Sequence, residues 1–108
     1  MANNEKYRNF VIYKIYPIDS QNDFLYIGST TNFSSRKSKH KKNTYNRSSK
    51  AYRYPIYQFI RAIGGWDKMV CEILEKYPCG DKKTGLMREK ELILFYHANL
   101  NINNPIYM

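Results

Sequence analysis

Five residues in this sequence are of the types that hold phosphates, hold cations and move protons. Arg36 and His40 stand four apart in a segment that reads as a helix, so they share one face. A guanidinium presents a planar fork of donors that matches phosphate oxygens, and an imidazole can give or take a proton near neutral pH. Tyr13 and Tyr26 stand in two short runs rich in β-branched and aromatic residues. Glu89 lies in the last helical segment. At ~100° per residue it falls in one broad arc with Leu86, Met87, Leu92, Ile93, Leu94 and Tyr96, with Glu91 roughly opposite. A carboxylate on a packed side must be neutralised by a proton, an ion pair or a metal.

Each of these has a plainer reading. Strand tyrosines pack cores, and an Arg and a His in a basic helix can touch nucleic acid without chemistry. Glu89 can pair with Arg36 or be accommodated beside Lys90, which shares its arc. Gly28 is less ordinary, because a glycine inside a strand usually permits close approach of another group.

The elements that must position these groups follow from local pattern. Phe10 to Pro17 (FVIYKIYP) reads as a strand ended by proline, Asp19 to Asp23 as a turn, and Phe24 to Ser29 (FLYIGS) as a second strand, together an antiparallel hairpin. Asn32 to Lys42 reads as a basic helix capped by Asn32 or Thr31. Thr44 to Tyr54 reads as a Tyr-rich loop. Pro55 to Ile63 starts with proline and stops at Gly64-Gly65, as a helix does. MVCEILEKY (Met69 to Tyr77) is a third strand. Pro78 to Lys83 is a turn, Thr84 caps a helix to about His97, and a tail runs from Asn99 to Met108. The fold class is α+β: a small three-stranded antiparallel or mixed sheet flanked by three or more helices. Residues 1–9 form a polar lead-in and 10–108 a single domain, which suits a chain of 108 residues.

Charge narrows the partner. The chain carries 18 Lys and Arg against 9 Asp and Glu, a net +9. No acid occurs between Asp23 and Asp67, where Arg36, Lys37, Lys39, Lys41, Lys42, Arg47, Lys50, Arg53 and Arg61 stand. The excess charge therefore sits in this middle segment, and a concentrated positive field attracts a polyanion. There is no apolar run long enough to span a membrane and no secretory signal. Cys71 and Cys79 lack zinc-ligand spacing and read as two reduced thiols. An intracellular protein with a nucleic-acid partner, no membrane and no small-molecule cofactor is expected.

The pieces in order resemble the GIY-YIG nuclease family, from Val11 to Asn101. The first signature triplet stands as Val11-Ile12-Tyr13 and the second, intact, as Tyr26-Ile27-Gly28. Arg36, His40, Glu89 within Arg88-Glu89-Lys90, and Leu100-Asn101 follow at matching spacings. The chain is most similar to the short, free-standing members found in large DNA viruses. It departs in having Val11 where the signature has glycine, and Ser29 where some relatives have lysine.

The resemblance implies an endonuclease that hydrolyses a DNA phosphodiester bond, on double-stranded or branched DNA. It implies that a tyrosine activates the attacking water; Tyr13 is the first candidate and Tyr26 the second, with His40 tuning that tyrosine or shuttling its proton. With Glu89 as the single well-placed carboxylate, one hard divalent ion, Mg²⁺ or Mn²⁺, is expected on it, and Arg36 on the phosphate. Gly28 and Asn101 support the site. Two histidines and few clustered acids leave His-metal and two-metal carboxylate chemistries without ligands. Lys37, Lys41, Arg47, Lys50 and Arg53 are expected on DNA phosphates, with Tyr45, Tyr52 and Tyr54 able to stack or hydrogen-bond. Phosphate contacts carry no base information, so low sequence specificity is expected. The alternatives are an inactive nucleic-acid-binding module and an RNA-directed nuclease.

Overall fold

Val11–Pro17 (β1) forms the middle strand of the sheet, and its sequence explains why. Val11, Ile12, Tyr13 and Ile15 are all buried, so both faces of this strand must be covered. A computed structural model of the chain, describing residues 5–19 and 23–101, supplies that cover. The strands β2 (Tyr26–Thr30) and β3 (Met69–Lys76) flank β1, both antiparallel to it, in the order β2-β1-β3. Three helices complete the α+β architecture: α1 (Phe33–Tyr45), α2 (Pro55–Ala62) and α3 (Lys82–Tyr96). Short 3-10 turns lie at Glu5–Asn9, Lys50–Arg53 and Trp66–Lys68.

Alternation along β1 divides the core in two. Tyr13 and Ile15 join Ile56, Tyr57 and Ile60 of α2, Met69 and Leu100 in one cluster. Ile12 joins Phe10, Ile27, Ala98 and Leu92 of α3 in the other. Ile12, Ile15, Ile27 and Ile60 have no exposed surface, and burying each contributes about 1.5–3 kcal/mol. A register shift between Ile12 and Tyr13 against β3 re-aims the strand at the point where Tyr13 enters the first cluster.

Several boundaries differ from the sequence reading. β2 starts at Tyr26, not Phe24: the Leu25 backbone is taken by the C-terminal segment, and Phe24 lies against Phe59 at a ring-centroid distance of 4.4 Å. The helix expected to end at Lys42 runs to Tyr45, because Thr44 is fully buried and its hydroxyl donates to the His40 carbonyl at 2.9 Å. The expected loop over Thr44 to Tyr54 therefore holds the end of α1 and a 3-10 turn capped by Ser49. α3 begins at Lys82, capped by Asp81, whose carboxylate accepts from the Thr84 amide at 2.9 Å; Thr84 is the donor in this cap, not the cap. His97 ends α3 in the left-handed conformation, φ 55°. Part of the expected turn over Asp19 to Asp23 and of the tail from Asn99 lies outside the described residues.

The outer edge of β2 is closed by side chains. The Asn101 carboxamide accepts from the Ile27 amide at 3.0 Å and donates to the Ile27 carbonyl at 2.6 Å, copying a strand partner. Leu100 donates to the Leu25 carbonyl at 3.0 Å, and Asn99 accepts from the Leu25 amide at 3.1 Å. Among the described residues an open strand edge is thereby satisfied without a fourth strand. Asn101→Leu removes both bonds and leaves two buried backbone groups unpaired. The expected cost is about 2–4 kcal/mol in chemical denaturation; a loss below about 0.5 kcal/mol would show that the edge is held by Leu100 alone.

Candidate active site

The site is organised around Gly28 and the ring it admits. Tyr13 of β1 pairs with Gly28 of β2 across the sheet. A Cβ on residue 28 would stand 2.5 Å from Tyr13 Oη and 2.6 Å from its Cζ, and 3.0 Å from Tyr26 Cε1. Only glycine lets the two tyrosine rings close over this strand, with centroids 6.3 Å apart. Val11, which stands where the signature has glycine, is buried and extended, paired with Thr30 on one side and Lys76 on the other. A strand position of this kind accepts a β-branched side chain.

Helix α1 delivers the next groups. Its N-cap is Asn32, whose side chain accepts from the Ser35 amide at 3.1 Å. Phe33, Arg36, His40 and Thr44 recur at helical spacing on its inner face. Phe33 packs on Tyr13 with centroids 5.7 Å apart. Arg36 Nε donates to Tyr13 Oη at 3.3 Å, and His40 Nε2 lies 2.6 Å from the same oxygen. The other ring nitrogen, Nδ1, lies 2.6 Å from Tyr57 Oη on α2. Tyr26 meets the His40 ring edge-on at 5.4 Å, and Trp66 stacks on it at 6.5 Å and 11°. Tyr13, Tyr26, Arg36 and His40 thus form one contiguous group.

Glu89 arrives from α3. Ser29 Oγ donates to its carboxylate, which is half-buried. Burial pushes its pKa up, opposed by the Ser29 hydrogen bond and the Arg36 charge. Among the described residues Glu89 makes no ion pair, so the plainer reading of it as a partner of Arg36 is not met, although its field reaches both Arg36 and Tyr26. The neighbouring Arg88 is spent elsewhere, on both Glu75 oxygens at 2.8 Å and on Glu91 at 2.9 Å. Only part of the apolar arc expected around Glu89 is packed: Leu92 and Ile93 face inward with Glu89. Leu86, Met87, Leu94 and Tyr96 are exposed, and the inner stripe is Gly85, Arg88, Glu89, Leu92 and Ile93. The helix turns this stripe inward because Gly85 seats against the Phe10 ring, where a Cβ would come within 2.5 Å.

Burial controls the proton chemistry. His40 is 1% exposed. Burial first, then the charges of Arg36 and Lys39, lower its pKa to about 3, so the ring is neutral at physiological pH. Burial and the neighbouring Tyr57 push Tyr26 up to about 12. Tyr13 is raised further, again chiefly by burial, with Arg36 acting in the opposite direction.

In the basic segment Lys37, Lys41, Arg47, Lys50 and Arg53 are all exposed. Arg61 is half-buried. Its guanidinium donates to the Thr44 and Tyr52 carbonyls at 2.9 and 2.8 Å and lies over the Tyr52 ring at 3.7 Å. The tyrosines expected to stack or hydrogen-bond with substrate also make contacts within the chain. Tyr45 Oη accepts from the Trp66 amide at 2.8 Å, and Tyr54 stacks on Tyr57 at 6.3 Å. Sequence reasoning missed Tyr57, Asn43 and Trp66 around His40, and Ser29 as a partner of Glu89; none lies at a spacing that marks it.

The family model of the GIY-YIG catalytic domain matches residues 9–102. The chain belongs to that family. Its enzyme class is accordingly that of the GIY-YIG endonucleases. The fold of this GIY-YIG domain is similar to that in "Structure of the Catalytic Domain of Homing Endonuclease I-TevI", with a TM-score of 0.68 and 23% identity over 85% of this chain and 92% of that one. No curated protein matches the sequence. Among the described residues of this GIY-YIG domain, no helix is long and apolar enough to cross a membrane.

The neutral His40 has a measurable consequence. Unfolded, a histidine binds its proton near 6.5; here it binds one near 3. Between those values the unfolded chain holds the extra proton, so this contribution to stability is complete above about pH 6.5 and is lost as pH falls toward 3. Unfolding curves from pH 7 to 4 should steepen by about one linked proton in the wild type relative to His40→Gln. Parallel pH dependences would mean that His40 is charged in the fold.

Proposed function

We propose that this protein is a metal-dependent DNA endonuclease of low sequence specificity. It would use one divalent ion, Mg²⁺ or Mn²⁺, held by Glu89, with the chain from residue 10 onward acting as one nuclease domain. The observation that carries the reading is a half-buried carboxylate with no ion pair among the described residues, close enough to Arg36 and Tyr26 to feel both.

The residues fit such an ion. Among the described residues no three His, Cys, Asp or Glu side chains cluster to form an all-protein cage. One carboxylate beside a serine hydroxyl is a hard oxygen donor set, and a small hard cation takes its remaining ligands from water and phosphate. When bound, it supplies charge stabilisation to the phosphate and lowers the pKa of groups near it.

The chain's own groups divide the remaining work. Arg36 Nε is committed to Tyr13, which leaves Nη1 and Nη2 without a partner among the described residues and available to two non-bridging phosphate oxygens. Tyr13, once ionised, takes a proton from the attacking water. The water oxygen bonds to phosphorus as the bond to the leaving sugar oxygen breaks, and that oxygen is then protonated from solvent. The elevated pKa of Tyr13 makes its phenolate scarce at neutral pH. kcat/KM should therefore climb with pH from 6 to 9, approaching tenfold per pH unit. Tyr13→Phe should abolish cleavage. A Tyr13→Phe enzyme cutting at the wild-type rate would transfer the role to Tyr26.

The exposure of Lys37, Lys41, Arg47, Lys50 and Arg53 supports a phosphate-directed grip on duplex or branched DNA. The reading of an RNA-directed nuclease rests on an aromatic-rich basic segment suited to single strands, and the contacts that Tyr45, Tyr52 and Tyr54 make within the chain weigh against it. Binding should weaken with salt at a log–log slope of about −0.9 per phosphate contact, and Lys41→Ala or Arg47→Ala should each flatten it by about one. A consensus cleavage site on random-sequence DNA would refute the low specificity.

Supercoiled plasmid and labelled RNA incubated with Mg²⁺ or Mn²⁺ separate the alternatives. The wild type should cut the plasmid, and a chelator should stop it. Arg36→Ala should lower kcat roughly 10²–10³-fold, and Glu89→Ala should leave no detectable cutting. Cleavage that survives Glu89→Ala would sink the site assignment. Plasmid binding without cleavage would favour an inactive binding module.

A further inference from the structure

Tyr57 belongs to no motif, yet its hydroxyl sits 2.6 Å from His40 Nδ1 with only 2% of the residue exposed. Behind it stands a chain of hydrogen bonds whose directions can be read from one end. The Ala51 amide donates to Ser49 Oγ at 3.1 Å. Ser49 Oγ donates in turn to Asn43 Oδ1 at 2.9 Å. With its oxygen turned to Ser49, the Asn43 amide presents Nδ2 to Tyr57 Oη, at 3.4 Å. An amide nitrogen only donates. Tyr57 Oη accepts there, so the acceptor left for its own proton is His40 Nδ1.

We infer that Tyr57 is a positioning residue that fixes His40 in the Nε2–H tautomer and so aims an N–H at Tyr13 Oη. A neutral imidazole that accepts at Nδ1 carries its proton on Nε2. Nε2 lies 2.6 Å from Tyr13 Oη, where Arg36 Nε also donates, at 3.3 Å. Tyr13 Oη therefore accepts twice, and its own proton must point away from both donors. An oxygen that accepts two hydrogen bonds is favoured in its ionised form, and both donors are set before any substrate arrives. His40 in this state holds the Tyr13 oxygen; it does not receive the Tyr13 proton. The opposite arrangement, with Nδ1–H donating to Tyr57, leaves the buried Tyr57 proton without an acceptor, since Asn43 Nδ2 is not one. A buried unpaired donor of that kind costs about 1–3 kcal/mol.

The inference rests on the proposed role of Tyr13 only for its effect on rate; the tautomer itself is read independently. In the intact protein, ¹⁵N and ¹³C NMR of the His40 ring near pH 7 should report Nε2–H. Tyr57→Phe removes the donor and should shift the ring to Nδ1–H or a mixture. Asn43→Asp should do the same without altering Tyr57, because a carboxylate accepts the Tyr57 proton and draws it from Nδ1. Thermal unfolding checks that both variants remain folded. In plasmid cleavage both should lower kcat by roughly 10–100-fold, the range for outer partners that orient a histidine, with KM for DNA within about twofold. Wild-type Nδ1–H, or a Tyr57→Phe protein with unchanged tautomer and kcat, would overturn the inference. A wild type that cuts nothing, yet shows Nε2–H that Tyr57→Phe abolishes, would refute the nuclease reading and support this one.

Discussion

A phenol buried on the middle strand governs most of this structure. Tyr13 is 1% exposed, so its hydroxyl is withdrawn from bulk solvent in the resting protein. Leaving such a group unbonded costs about 1–3 kcal/mol, so neighbouring elements must bring partners to it. α1 does so with Arg36 and His40 from successive turns of one face. β2 does so by omission, since Gly28 leaves the volume the ring occupies. His40, drawn into the interior by Tyr13, needs a partner for its second nitrogen, and α2 provides Tyr57. The packing of α1 and α2 on this face of the sheet is thus tied to one oxygen atom, and the same oxygen is the proposed base.

The opposite face solves a different problem. α3 carries two charged residues on its inner stripe, and they are treated unequally. Arg88 is neutralised by Glu75 and Glu91, whereas among the described residues Glu89 accepts from a serine hydroxyl, feels the Arg36 charge and makes no ion pair. A carboxylate without an ion pair at a partly buried position is unfavourable in the resting protein and suited to a cation. Ser29 and Gly28 are adjacent in β2, so this narrow strand carries the contact with Glu89 on one side of its pleat and the Tyr13 contact on the other. Its outer edge has to be rigid for both, and the Asn101 carboxamide makes it so.

Charge on this protein is likewise of two kinds. Arg61 and Arg88 are structural cations, held by carbonyls and carboxylates. Lys37, Lys41, Arg47, Lys50 and Arg53 are exposed and give this segment a positive field. The absence of acids between Asp23 and Asp67 is therefore more telling than the number of bases, since it leaves the exposed cations of that segment without local compensation.

Tyr13, Tyr26, Gly28, Arg36, His40, Glu89 and Asn101 were legible in the sequence because their order and spacing form a pattern, and the strands and helices that carry them followed from periodicity and caps. Element ends were read less well where burial or a distant partner overrode local preference, as with Thr44 extending α1 and the C-terminal segment claiming Leu25. The apolar arc of α3 misled for a physical reason: periodicity reports which residues share a face, and only packing decides which face turns inward. Here Phe10 meeting Gly85 made that choice. Tyr57, Asn43 and Ser49 lay in no motif, since a hydrogen-bond chain through the loop after α1, α1 itself and α2 exists only when those segments are brought together in space. By itself the sequence determined which chemical groups are present and which element each one rides on. Tertiary structure decided which of them touch, because burial, proton direction and the isolation of Glu89 are properties of neighbours that no single segment contains.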